Sequence, residues 1–118
     1  MPLYTVLIPS GSTSGRPIKV AATTTPGTLL HTAVAGTADV DEVYVYAVNS
    51  DAAAIKLTIE LGGVTAPDDL VEFTVPPEDG LYLVIPGQRL NGGVVVRAFA
   101  GSANLINCVV QVNRITGI

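Results

Sequence analysis

Two side chains of this sequence titrate near neutrality or act as soft nucleophiles, one histidine (His31) and one cysteine (Cys108). A zinc site needs three or four nitrogen or sulfur donors, and these two are all the chain offers. Cys108 sits in the apolar run 105–112, which reads as a buried, inert thiol with no partner for an intramolecular bridge. His31 lies in the alternating stretch 28–35 and reads as a structural histidine. No flanking signature pairs the two as nucleophile and base. Carboxylates cluster at Asp39/Asp41/Glu42, Asp68/Asp69 and Glu78/Asp79. Paired carboxylates can act as acid and base or hold calcium, but none of these groups has the spacing of a calcium loop. All three fall in expected turns, where such residues solvate and cap. Gly62-Gly63 and Gly92-Gly93 lack the strand–loop–helix setting of a phosphate cradle and read as turns.

With so little to do chemistry, the composition describes a body rather than a catalyst. Hydrophobic residues make up 48% of the 118 and charged residues 14%. The expectation is a protein without enzymatic activity, cofactor or metal. One domain of this length buries roughly two-thirds of its unfolded surface, enough to fold without a disulfide. A mean hydropathy of +0.50 is high for such a domain, which implies that other copies cover part of the apolar surface.

Period-two alternation dominates, and helix signals are almost absent. Ile55, Leu57, Ile59 and Leu61 alternate with Lys56, Thr58 and Glu60, predicting one buried and one wet face. Val71, Phe73 and Val75 alternate with Glu72 and Thr74. The runs 43–48, 81–85, 94–100 and 104–113 are apolar on both sides, as strands between two covering layers are. With 3–8, 17–22 and 29–35 they make eight or nine strands. Between them stand Thr25-Pro26-Gly27, Asn49-Ser50-Asp51, Ala66-Pro67-Asp68-Asp69, Pro76-Pro77-Glu78-Asp79-Gly80, Pro86-Gly87, Asn91-Gly92-Gly93 and Gly101-Ser102, each with turn chemistry. The predicted fold is an all-β, single-domain antiparallel sandwich, with jelly-roll connectivity as a specific case. Residues 1–27 read as N-terminal strands with a flexible polar arm at 9–16, and residues 28–118 as the sandwich body.

Ten acidic and six basic residues give a net charge of -4. The bases, Arg16, Lys19, Lys56, Arg89, Arg97 and Arg114, are scattered, so no phosphate track for nucleic acid is visible. The first residues lack the basic and apolar regions of a signal peptide, and no apolar run reaches the ~18–20 residues of a membrane span. A soluble protein made in a cytosol is expected. Tyr44 and Tyr46 share one strand face and offer a small platform for a sugar, although a packed or interface pair fits them better.

Several runs together resemble small proteins that tailed bacteriophages encode beside their capsid genes. They are 30–34, 41–50, 56–63 and 76–87, with Val95-Val96-Arg97-Ala98-Phe99-Ala100 and Val112-Asn113-Arg114-Ile115 closing the match. The resemblance spans about three-quarters of the chain and leaves residues 1–27 outside. It implies a capsid decoration (cement) protein on the virion surface, often a homotrimer at threefold and quasi-threefold points, bridging major capsid protein subunits after expansion. It carries over no set of functional residues. The candidate interface residues are Tyr44, Tyr46, Tyr82, Arg97, Phe99 and Arg16. Alternatives are a head fibre base, spike or tail component, a carbohydrate-binding adsorption module, or a small hydrolase using acidic pairs.

Overall fold

Alternating apolar residues broken by glycine and proline turns give nine strands and no helix in the computed structural model, which describes residues 1–118. They are β1 (Leu3–Leu7), β2 (Ile18–Lys19), β3 (Thr28–Thr32), β4 (Val40–Asn49), β5 (Ile55–Leu61), β6 (Leu70–Val75), β7 (Tyr82–Leu90), β8 (Val95–Ala100) and β9 (Ile106–Thr116). One sheet has the order β1-β9-β4-β7, with the short β2 also on β9; the other has the order β3-β8-β5-β6. All pairings are antiparallel.

Setting β2 aside, the first strand pairs with the last, the second with the second-last, and so inward to the β5–β6 hairpin. Consecutive pairs fall in alternate sheets, which is the winding of a jelly roll. The expected β-sandwich is therefore present, in its jelly-roll form. Its core is an 18-residue apolar cluster. Val43, Val45 and Ala47 of β4 meet Leu57 and Ile59 of β5, Val96 and Ala98 of β8, and Cys108, Val110 and Val112 of β9. Burying a side chain of this size stabilises by about 1.5–3 kcal/mol, so two opposed sheets hold together without a disulfide.

Four features depart from the sequence reading. First, β7 continues through Pro86-Gly87, which had the look of a turn. β7 is the edge of its sheet, where proline's missing N–H leaves no ladder bond unmade. Gly87 has φ +88°, and a Cβ there would come within 2.9 Å of the Tyr44 ring. Second, β4 begins at Val40, so Asp41 and Glu42 are buried strand residues rather than turn residues. Third, Thr58 and Glu60 are buried on the face of β5 expected to be wet. Fourth, residues 9–16, read as a flexible arm, are anchored to β3 at Ser10 and Gly11 and bonded internally beyond that, with 13–16 exposed. Gly11 N–H donates to Leu30 O at 3.0 Å, Ser12 N–H to Pro9 O at 3.0 Å and Arg16 N–H to Thr13 O at 3.0 Å. On either side of this loop, β1 and β2 are integral to the first sheet.

Candidate functional site

At one end of the sandwich a polar cluster joins the two sheets. Asp41 shares the inward parity of Val43, Val45 and Ala47, and Arg114 that of Val112 and Val110, so alternation turns both toward the interior. They are cross-strand partners, and Arg114 donates Nε–H to Asp41 Oδ1 at 2.7 Å and Nη2–H to Oδ2 at 3.0 Å. His31 arrives from β3 in the other sheet. A bulge between Leu29 and His31 lets the adjacent Leu30 and His31 both turn inward. His31 Nε2 lies 2.8 Å from Asp41 Oδ2, and Val34 N–H donates to the same oxygen at 3.1 Å. Burial pushes the Asp41 carboxyl up, but the hydrogen bonds from Arg114 and His31 and the guanidinium charge of Arg114 outweigh it and hold the group below its usual range.

Ser10 completes a chain with the appearance of a Ser-His-Asp triad. Its Oγ is 3.4 Å from His31 Nδ1. Yet Ser10 N–H donates to that nitrogen at 3.0 Å, and Ser10 Oγ accepts Thr32 N–H at 2.7 Å. Because Nδ1 accepts, the proton of the neutral ring is on Nε2 and points at Asp41. The lone pair that a general base needs is engaged by the backbone, and the cluster fastens the 9–16 loop to β3. In this geometry His31 is a strut between Ser10 and Asp41. The parity of Asp41 and Arg114 was the signal that would have revealed this cluster; the Ser10 contact spans 21 residues and leaves no local pattern.

A second buried carboxylate ties a loop to the other sheet. Glu60 Oε1 accepts Gly27 N–H at 2.7 Å, and Oε2 accepts the Thr25 hydroxyl. The Thr25-Pro26-Gly27 loop lies so flat on β8 that a Cβ at Gly27 would sit 2.5 Å from the Ala98 carbonyl. This lid explains why Glu60 is dry although Lys56, on the same side of β5, is exposed. Every buried side-chain nitrogen and oxygen has a partner. Asp68 stays exposed in its turn, while Asp69 Oδ2 accepts Thr65 N–H at 3.1 Å. Nowhere do three His, Cys, Asp or Glu side chains converge as metal ligands. Cys108 is fully buried, and burial pushes its thiol up to about 12.

The six candidate interface residues do not form one patch. Tyr44 and Tyr46 are half-buried on the outer face of the β1-β9-β4-β7 sheet, facing Gln111 and Val109 of β9. Tyr44 OH donates to Glu42 Oε1 at 3.2 Å, a bond that raises the phenol above its usual value, and Arg89 pairs with Glu42 at 3.3 Å. Arg97 and Phe99 lie on the outer face of the opposite sheet, across from Glu60 and Thr58. Tyr82 stacks at a tilt on Phe73, 5.8 Å between ring centres, and its OH donates to Asp79. Arg16 is exposed at the 9–16 loop. Residues missed by the sequence reading complete the exposed apolar surface: Leu3, Tyr4, Val6 and Ile8 at one edge of the first sheet, and Leu81 and Leu83 at the other.

No family model, curated protein or solved structure matches this chain. No helix is long and apolar enough to cross a membrane.

Proposed function

We propose that this protein is a structural component of a tailed-phage virion, a decoration protein that binds the outside of the capsid as a homotrimer. It bridges neighbouring major capsid protein subunits and needs neither cofactor nor nucleic acid. The observation that carries this reading is the contrast between interior and exterior. The interior has every buried side-chain polar atom paired, while both edges of one sheet expose large apolar side chains, Val6 83% and Tyr4 69% among them. Isolated domains rarely leave such side chains together in water, and their grouping marks an interaction surface. The likeness of the strand and turn pattern to phage decoration proteins supplies the partner.

The mechanism follows from linkage. A rigid body that binds the assembled lattice and not free subunits stabilises assembly by mass action. Many copies act in parallel at the seams where an expanded shell is weakest, and a threefold-symmetric oligomer matches the local symmetry of the lattice. Co-sedimentation with undecorated, expanded heads tests this. Saturable binding to expanded heads, and none to free capsid subunits, supports it; protein left in the supernatant at every concentration overturns it.

A second reading, a carbohydrate-binding module, rests on Tyr44 and Tyr46 lying side by side with Glu42, Gln111 and Asn113 around them. Glycan binding abolished by Tyr44→Ala/Tyr46→Ala, with head binding absent, would favour it.

A further inference from the structure

The two edges of the β1-β9-β4-β7 sheet both expose apolar side chains, and near one end of the sheet they are opposite in charge; Arg89, farther along β7, pairs with Glu42. At the β1/β2 edge, Leu3, Tyr4, Val6 and Ile8 are exposed, and the first nine residues carry no charged side chain. The β1 part of that edge has none of the charges that keep free strands from pairing, which leaves the side-chain charge to the residues around β2. The only cations of the edge are Arg16 and Lys19, which bracket Ile18; both are exposed and neither pairs with a carboxylate. They line an open polar depression with Ser12, Thr13 and Asn107, and no acid contributes to its walls. At the β7 edge, Leu81 and Leu83 are 53% and 47% exposed. Glu78 and Asp79 stand just before them, also exposed and without a cation.

The pairing register sets the charged groups at the same height, whereas Val6 and Leu7 of β1 are level with Arg89 and Gln88 of β7. Ile18, Cys108, Ala47 and Tyr82 form one row across the sheet from edge to edge. Arg16 and Lys19 therefore flank one end of that row, and Asp79 and Glu78 lie beside its other end. Strand direction agrees, since β1 runs antiparallel to β7. A rotation axis parallel to the strands preserves height and direction. It brings the β1/β2 edge of one copy against the β7 edge of the next, antiparallel and with opposite charges meeting.

We infer that a second copy of this chain occupies the β1/β2 edge, with Arg16 and Lys19 receiving Glu78 and Asp79 of the neighbour. Such a contact is heterologous and must close into a ring. The ring of three rests on the oligomeric part of the proposed function; the choice of edges rests on charge, register and exposure alone.

Sedimentation velocity of the full chain without any shell tests it, in four forms: wild type, Arg16→Glu/Lys19→Glu, Glu78→Lys/Asp79→Lys, and all four changes together. Circular dichroism confirms that each is folded. The wild type sediments as three copies. Each one-sided reversal weakens association about tenfold or more, because like charges then meet. The four-fold variant regains association. A monomeric or two-copy wild type, one-sided variants of unchanged mass, or a four-fold variant that stays dissociated each overturns the proposal. A monomer that binds heads sinks the ring and spares the decoration reading, whereas a ring that ignores heads does the reverse.

Discussion

Asp41 on one sheet and His31 on the other meet at 2.8 Å, with side chains 0% and 3% exposed, so a single carboxylate joins the two halves of the sandwich. It also takes both donors of Arg114 and the Val34 amide. Removing one partner of such a cluster leaves buried groups unpaired, which costs more than the bonds themselves contribute. Asp41→Asn keeps the shape and removes the charge. Its expected cost is about 3 kcal/mol, read as a lower denaturant midpoint with an unchanged slope.

The same carboxyl sets the acid limit. Its folded pKa lies below the ordinary 3.8, so its contribution is complete above the unfolded value. That contribution is lost as the pH falls through the lower, folded value. Melting temperature should drop below about pH 4 in the wild type. In Asp41→Asn this part of the drop should be missing.

Ser10 tests the reading of the Ser-His-Asp arrangement. With His31 Nδ1 engaged by the Ser10 N–H, the hydroxyl has no free base, and a fluorophosphonate probe should leave the protein unlabelled. Ser10→Ala removes the Thr32 N–H acceptor and the long 3.4 Å contact to His31 Nδ1, and should lower stability by about 1 kcal/mol. Amide exchange at Thr32 should quicken. Labelling of Ser10 would contradict this account.

Cys108 should not react with a disulfide reagent in the native protein and should react at once in denaturant. Its thiol titrates at about 12 when folded, above the unfolded value of about 8.5. A raised folded pKa contributes stability below the unfolded value and loses it as pH rises. The loss from this group should therefore run at about 1.4 kcal/mol per pH unit across that window.

Gly27→Ala should prevent the 25–27 loop from seating, since its Cβ would press on the backbone of Ala98. The Glu60 carboxylate would then lose both the Gly27 amide and its cover. A loss of about 2–3 kcal/mol is expected, and an unchanged melting curve would show that the loop is not seated as described.

Alternation made most of the fold legible. The period-two pattern of residues 55–61 and 71–75 and the two-sided apolar runs at 43–48 and 104–113 located strands and implied two layers. What stayed hidden depends on neighbours distant in sequence. Glu60 reads as a wet residue because the loop that covers it is 33 residues away. Pro86-Gly87 reads as a turn because local sequence does not reveal that β7 is an edge. Asp41 was legible by parity with Val43 and Val45, but its place in a cluster of acids favoured a turn. The scatter of the six interface candidates over two outer faces, a loop and, for Tyr82, the space between the sheets follows from strand parity and winding, which aromatic content does not encode.

The central claim, that this protein strengthens a shell by occupying its outer surface, is tested most directly by the disruption temperature of expanded phage heads with and without it. A saturable rise that tracks the amount of bound protein is the predicted result. An unchanged disruption temperature with the protein bound, or with all of it left in solution, would contradict the account.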